Sequence, residues 1–237
     1  MSLHVTEGAL FMIFFDIDGT LLDYELAEKN GILDFFREHN PIFSGKEFEA
    51  SKLWNQLSEQ YFNQFLSNTL SFQEQQRLRM LHLFQKYGVL LTNEEADEKF
   101  SLYLSLYIEN WTVYEDVVYV LDSLKQKGYP LGIISNGNYE QQIEKLHRLH
   151  ILHYFDPVIT SSEIGVAKPN IAIFQTASMK AKCQIQDCYY IGDRLETDAL
   201  SSKKAGMHGI WLDRSNKKQQ CSVLTIQSLY ELIHILT

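Results

Sequence analysis

The chain has 237 residues, which is enough for one large domain or for a domain that carries an insertion. Its composition, 45% hydrophobic and 22% charged residues, is typical of a soluble globular protein. The net charge of −9 argues against a surface for nucleic acid polymers or anionic membranes. The apolar run Ala9–Phe15 is far shorter than the ~20 residues of a membrane span, and no Lys or Arg precedes it. We therefore expect a cytoplasmic protein with neither a membrane nor a nucleic acid as partner.

Short apolar runs with β character recur along the chain and predict strands. Helical patterns separate most of them; Asp116–Lys127, for example, has apolar residues at helical spacing, lysines in its last turn and Gly128 just beyond it. This alternation predicts an α/β fold in which helices cover a parallel, Rossmann-like sheet. The predicted strands are Ala9–Phe15, Pro130–Ile134, Pro157–Thr160, Cys188–Ile191 and Gly209–Leu212.

One long interval, residues 24–108, contains no convincing strand. A first helix is predicted near Glu25–His39, and three later segments open with the S/T-x-x-E capping box, at Ser44, Ser71 and Thr92. Aromatic residues at helical spacing in these segments favour packing inside a helical bundle. The predicted organisation is therefore a catalytic core of residues 1–23 and 109–237 with a helical cap, residues 24–108, inserted after the first strand.

Polar residues follow the predicted strands at the sheet edge where parallel α/β proteins bind ligands. Asp16 and Asp18 follow the first strand, and Ser135 and Asn136 follow the second. Lys168 comes a short loop after the third, and the fourth is followed by Asp193 and then Asp198. These strand ends are expected to bring acids, a hydroxyl, an amide and a lysine together.

Clustered carboxylates repel one another unless a cation neutralises them, and carboxylate oxygens are ligands that Mg²⁺ prefers. A metal in such a cluster can neutralise charge on a phosphoryl oxygen, while Lys168 and Ser135 supply further positive charge and donors. An aspartate is also a competent nucleophile toward phosphorus, and a neighbouring acid can protonate the leaving oxygen. The pattern favours phosphoryl transfer.

Four segments in order resemble the signatures of the haloacid dehalogenase-like hydrolase superfamily: DIDGTLLD from Asp16, ISNG from Ile134, GVAKP from Gly165 and GDRLETD from Gly192. The resemblance implies that Asp16 is the nucleophile that forms an aspartyl-phosphate and that Asp18 is the general acid and base. It implies that Ser135 and Lys168 bind phosphate, with Asn136 beside them. It also implies a Mg²⁺ site formed by Asp16, Asp193 and the backbone carbonyl of Asp18, with Asp198 supporting it from a second layer.

The inserted helices resemble the cap of one large branch of that superfamily, in which the cap carries substrate selectivity. Relatives that remove halide lack the second acid, so Asp18 favours a phosphatase. DYELAEKNG and GDRLETDALSSKKAG resemble bacterial nucleotidases that act on pyrimidine-type nucleoside monophosphates, although Gly19 stands where that subgroup often has an acid. The expected activity is Mg²⁺-dependent hydrolysis of a small phosphorylated metabolite. A sugar-phosphate mutase and a non-catalytic binding protein of the same fold stay open as alternatives.

The three cysteines, Cys183, Cys188 and Cys221, are odd in number and show no C-x-x-C spacing. A disulfide framework or a zinc site therefore has little support, and free thiols are expected.

Overall fold

The computed structural model of the chain describes residues 11–217 and 219–236, so Ala9 and Leu10 of the first predicted strand lie outside the described residues. The described strands form one sheet in the order β3-β2-β1-β4-β5-β6, and every neighbouring pair is parallel. The strands are β1 (Met12–Phe15), β2 (Leu131–Ser135), β3 (Phe155–Thr160), β4 (Cys188–Gly192), β5 (His208–Leu212) and β6 (Leu224–Ile226).

The helices of the described chain fall into a continuous run before β2 and an alternating set after it. In chain order they are α1 (Tyr24–Glu38), α2 (Asn40–Phe43), α3 (Glu47–Leu66), α4 (Phe72–Lys86), α5 (Asn93–Glu109), α6 (Val117–Gln126), α7 (Tyr139–Arg148), α8 (Ser161–Ile164), α9 (Ile171–Lys180), α10 (Ser201–Ala205) and α11 (Leu232–Ile235).

The predicted α/β fold with a parallel sheet is confirmed. The strand β1 lies in the middle of the sheet and all its residues are buried, which explains why its sequence, MIFF, is continuously apolar rather than alternating. Strand β6 was not predicted. It has only three residues, two of them exposed at the sheet edge, and so lacks an apolar run.

The chain divides into two compact units. One runs to Asp23 and resumes at Thr112, and the other is Tyr24–Trp111. The predicted cap ended at residue 108, which lies inside the last turn of α5. The second unit has its own core of buried apolar side chains, in which Trp54, Phe84 and Tyr103 are among the aromatic members.

The capping boxes at Ser71 and Thr92 are confirmed, because each side chain accepts the backbone N–H three residues on and the Glu there reaches back. The box predicted at Ser44 is wrong. Helix α3 begins two residues later, after Lys46, and Glu47 instead accepts a hydrogen bond from the backbone N–H of Gly45. A turn closed between Phe43 and Lys46 takes the place of the predicted cap.

Among the described residues, no helix is both long and apolar enough to cross a membrane.

Candidate active site

The carboxyl ends of three adjacent strands place the candidate residues. Strand β1 pairs with β2 on one side and with β4 on the other, so the residues after these strands lie at one edge of the sheet. Asp16 follows β1 directly, and its backbone N–H donates to the carbonyl of Ile191 in β4 (2.9 Å). Asp193 follows β4, and Ser135 is the last residue of β2. The sheet therefore brings together residues that are up to 177 positions apart in the chain, from 16 to 193.

A buried lysine occupies the centre of the cluster. The Lys168 ammonium donates to Oδ1 of Asp16 (2.8 Å) and to Oδ1 of Asp198 (2.7 Å). It also donates to the hydroxyl of Tyr190 (2.6 Å), and the side chain of Lys168 is only 3% exposed. Burying an ammonium is costly unless it is paired and hydrogen-bonded, and all three of its protons have acceptors here.

Asp198 lies beside Asp16, Asp193 and Lys168. A π-helical turn, Leu195–Leu200, points its carboxylate inward, where one oxygen accepts from Lys168 and the other from the backbone N–H of Arg194 (3.0 Å). One carboxylate oxygen from each of Asp16, Asp193 and Asp198 lies within 4.8 Å of the other two. Both oxygens of Asp198 are thus already bonded to groups of the chain.

The electrostatics of the cluster follow from burial and from the excess of acids. Burial, the like charge of Asp16 and that of Asp198 raise the pKa of Asp193 to about 8. Burial also raises the pKa of Asp16, partly offset by Lys168, to about 6. For Lys168, burial lowers the pKa but Asp16 and Asp198 outweigh it, so the pKa is raised and the ammonium stays charged.

The donor set fits a hard divalent cation. Asp193 Oδ1 is buried and has no hydrogen-bond partner among the described residues. The cluster holds three carboxylates and one ammonium, which pairs with Asp16 and Asp198, so it carries two uncompensated negative charges when all are ionised. Aspartate oxygens without nitrogen or sulfur ligands are the chemistry that Mg²⁺ prefers. Gly19, at φ +83°, leaves room for Asp193, because a Cβ there would lie 2.6 Å from Asp193 Oδ2.

The carboxylate of Asp18 is held away from this cluster by two residues of α7 that the sequence analysis did not identify. The Lys145 ammonium donates to both of its oxygens (2.7 Å each), and Gln142 Nε2 approaches Oδ2 (3.3 Å). The side chain of Lys145 is 6% exposed and that of Asp18 is 28% exposed. The sequence carries no local signal for this partner, because most lysines are solvated and only the fold shows that Lys145 is buried.

Ser135 and Asn136 have distinct surroundings. Ser135 Oγ accepts from Gln142 Nε2 (2.8 Å). The side-chain amide of Asn136 is bonded on both sides to the backbone of Lys168: Nδ2 donates to its carbonyl (3.0 Å), and Oδ1 accepts its N–H (2.8 Å). Asn136 thereby fixes the loop that carries the central lysine.

Tyr190 is a further residue that the sequence analysis missed. Its hydroxyl accepts from Lys168 and donates to the carbonyl of Ile134 (2.9 Å), with Asp198 Oδ1 3.2 Å away. Tyr190 lies inside β4, and an aromatic residue in a strand is normally predicted to be a core residue. Only its position next to the buried ammonium shows that its hydroxyl binds Lys168. Open α/β sheets bind their ligands outside the carboxyl ends of the strands, which is where this cluster lies.

Comparisons with known proteins identify the family. The family model for haloacid dehalogenase-like hydrolases matches residues 12–206. The glyceraldehyde 3-phosphate phosphatase of Methanothermobacter thermautotrophicus is 33% identical over 209 residues, which cover 84% of this chain and 83% of that protein. The pyrimidine 5'-nucleotidase YjjG of Escherichia coli is 28% identical over 230 residues, covering 94% and 96% of the two chains.

A solved structure shares the fold. The HAD-hydrolase YfnB of Bacillus subtilis, solved bound to magnesium, superposes with a TM-score of 0.80 at 21% identity, over 96% of this chain and 98% of that one. The chain belongs to the haloacid dehalogenase-like hydrolase family, as its four signatures predicted. Within that family it is a phosphatase, so the predicted enzyme class is confirmed.

Proposed function

We propose that the protein is a Mg²⁺-dependent phosphomonoesterase that hydrolyses a small phosphorylated metabolite through an aspartyl-phosphate on Asp16. The observation that carries this proposal is the cluster of Asp16, Asp193 and Asp198 around Lys168. A chain with a net charge of −9 repels an anionic ester unless positive charge is concentrated at the site. Lys168 supplies one such charge. A divalent cation beside it would neutralise the negative charge that remains on the acids.

Asp16, Asp193 and the backbone carbonyl of Asp18 would hold Mg²⁺, which, when bound, supplies charge neutralisation to the phosphoryl oxygens under attack. Asp193 Oδ1, buried without a hydrogen-bond partner among the described residues, supports this assignment most directly. Asp198 is better suited to hold the Lys168 ammonium, because both of its oxygens already accept hydrogen bonds from the chain.

Asp16 is the proposed nucleophile. With a pKa of about 6, its carboxylate is mostly ionised at neutral pH. Lys168 binds Oδ1, so Oδ2 is the oxygen that attacks: a bond forms between Oδ2 and phosphorus while the bond from phosphorus to the leaving oxygen breaks. Burial of the cluster strengthens the attraction between Lys168 and the transferring oxygens.

Asp18 is the proposed general acid and base. Its protonated form gives the proton to the leaving oxygen; the resulting carboxylate, which pairs with Lys145, later takes a proton from the water that hydrolyses the aspartyl-phosphate, and this regenerates both acids and releases phosphate. Lys145 and Gln142 hold its carboxylate in one orientation. An acid held by two partners loses less conformational freedom when it engages the substrate.

Three groups are proposed to bind the phosphoryl oxygens. Ser135 Oγ accepts from Gln142 and donates a long hydrogen bond (3.4 Å) to the carbonyl of Asn136, which a phosphate oxygen would replace as the acceptor. The side chain of Asn136 is engaged with the Lys168 backbone, so the contribution of Asn136 comes through its main chain. The Lys168 ammonium supplies the charge.

Nucleoside monophosphates are the substrate class that we propose to test first, because the similarity to the nucleotidase YjjG extends over nearly the whole of both chains. Triose phosphates come second, on the strength of the higher identity to the archaeal glyceraldehyde 3-phosphate phosphatase. The cytoplasmic location stays a prediction.

The test is a panel of nucleotides and sugar phosphates with Mg²⁺, scored by free phosphate. Asp16→Asn is expected to abolish phosphate release, and a chelator is expected to stop wild-type turnover. Asp213→Asn is the matched control, since Asp213 is a buried acid at the end of β5 that bonds to Ser215 and Lys217 instead of the cluster.

Near wild-type phosphate release by Asp16→Asn would remove the nucleophile assignment, and unchanged rates in chelator would remove the metal. Conversion of a sugar phosphate to an isomer without release of phosphate would identify a mutase instead. Melting curves for each variant serve as the control that separates a loss of activity from a loss of folding.

A further inference from the structure

Two cysteines that take no part in the proposed reaction lie in direct contact. The sulfur atoms of Cys183 and Cys188 are 2.8 Å apart, and both residues are free thiols. A disulfide bond is about 2.04 Å long, so the two sulfurs need to approach by less than an ångström to be joined. Their spacing, C-x-x-x-x-C, is not one of the common redox or metal motifs, so the sequence did not predict that these two cysteines form a pair.

The backbone on both sides holds the pair in place. Cys183 lies just beyond the end of α9, and its thiol donates to the carbonyl of Ser178 (3.6 Å). Cys188 is the first residue of β4, and its thiol donates to the carbonyl of Gln184 (3.3 Å). A 3₁₀ turn, Ile185–Asp187, connects them. The sulfurs therefore meet because a helix end and a strand start are fixed, not because a flexible loop happens to bring them together.

The two thiols differ in access to solvent. Cys183 is partly exposed, whereas Cys188 is completely buried in the apolar cluster beneath α9. Burial and the neighbouring Cys183 raise the pKa of the Cys188 thiol, which makes it unreactive toward solutes. A solute can therefore reach Cys183 but not Cys188. Cys188 is placed to react in a second step, with the sulfur of Cys183.

We propose that Cys183 and Cys188 form a reversible dithiol–disulfide site that reacts with low-molecular-weight disulfides. The thiolate of Cys183 attacks one sulfur of the small disulfide, which forms a mixed disulfide and releases one small thiol. The sulfur of Cys188 then attacks Cys183, which forms the internal disulfide, and the Cys188 proton passes to the leaving small thiolate, which departs as the second small thiol. The protein loses two protons and two electrons, and the small disulfide is reduced to two thiols.

The position of the two cysteines indicates how a disulfide between them would affect stability. It joins the end of α9 to the start of β4, two elements that already pack in one apolar cluster. Tyr190, which binds the Lys168 ammonium, lies two residues after Cys188 in the same strand. A closed loop between Cys183 and Cys188 restricts the unfolded chain more than the folded chain, in which the two sulfurs already lie together. Oxidation is therefore expected to raise the melting temperature by a few degrees.

The experiment incubates the full chain, first reduced, with oxidised glutathione and follows intact mass, peptide maps and melting. We expect a mass lower by two protons, a peptide linking Cys183 to Cys188, a higher melting temperature, and reversal of all three by dithiothreitol. Cys188→Ser is expected to accumulate a glutathione adduct on Cys183, because the resolving thiol is absent. Cys221→Ser, the matched control, is expected to form the same internal disulfide as wild type.

Three results would overturn the proposal. One is a wild-type chain that keeps a glutathione adduct on Cys183 without closing the internal disulfide. Another is no reaction at Cys183 under conditions in which Cys221 is modified. The third is formation of the internal disulfide only after denaturation, which would show that the folded chain does not permit it. Because mass and melting are the readouts, none of these outcomes depends on the proposed phosphatase mechanism.

Discussion

Replacing Asp193 with Asn tests the electrostatics of the acidic cluster in the metal-free protein. The pKa of Asp193 is raised to about 8 in the folded chain, by burial first and by Asp16 and Asp198 next. In the unfolded chain an aspartate has a pKa of about 3.9. Between these two values the folded chain binds more protons than the unfolded chain, so stability falls as the pH rises through this window.

The magnitude follows from the width of the window. Each pH unit inside it costs at most about 1.4 kcal/mol per group, so Asp193 alone lowers the free energy of unfolding by up to about 4 kcal/mol between pH 5 and pH 8. Asp16, whose pKa is about 6, adds to the loss only in the lower part of that range. Asn does not titrate, so Asp193→Asn is expected to remove most of this dependence and to be more stable than wild type at pH 8.

The assay is urea unfolding in chelator at pH 5, 6, 7 and 8, for wild type, Asp193→Asn and the control Asp213→Asn. Adding Mg²⁺ is expected to stabilise wild type more at pH 8 than at pH 5, because protons and metal compete for the same oxygens. Mg²⁺ is expected to leave Asp193→Asn unchanged.

The reasoning fails if wild type and Asp193→Asn lose stability in parallel as the pH rises from 5 to 8. It also fails if Mg²⁺ stabilises the two chains equally, because the cluster would then not be the site where the ion binds. Asp213→Asn is expected to keep the pH dependence of the wild-type unfolding free energy. If Asp213→Asn lost that dependence as Asp193→Asn does, the effect would come from removing a buried acid in general and not from this cluster.

Two further substitutions test other contacts in the unit that contains the sheet. Lys145→Met leaves the partly exposed Asp18 carboxylate without its ion-pair partner, so we expect a loss of about 1 to 3 kcal/mol in unfolding free energy and at least about tenfold in kcat for esters with poor leaving groups. Lys145→Arg should recover part of both, and unchanged values in Lys145→Met would contradict the positioning role. Gly209→Ala places a Cβ 2.1 Å from the carbonyl oxygen of Ala199, so we expect about 1 to 3 kcal/mol of destabilisation by urea unfolding; a neutral effect would show that this turn yields.

The local pattern of the chain determined the fold class and most strand positions. The apolar runs of β1 and β4 are continuous because these strands are buried on both faces, and that burial makes them visible in the sequence. The caps at Ser71 and Thr92 were predictable for a similar reason, since each joins residues three positions apart. At Ser44 the same motif did not cap a helix, because a neighbouring turn used the backbone differently.

Tertiary structure alone decided which partners the acids have. Asp18 and Lys145 are 127 positions apart, and no local pattern links them. Tyr190 has the sequence signature of a core aromatic, yet its hydroxyl binds the central ammonium. The strand ends predicted which residues would meet, because a parallel sheet aligns them. The charge balance among them depends on burial and on distances of a few ångströms, which arise only when separate segments pack.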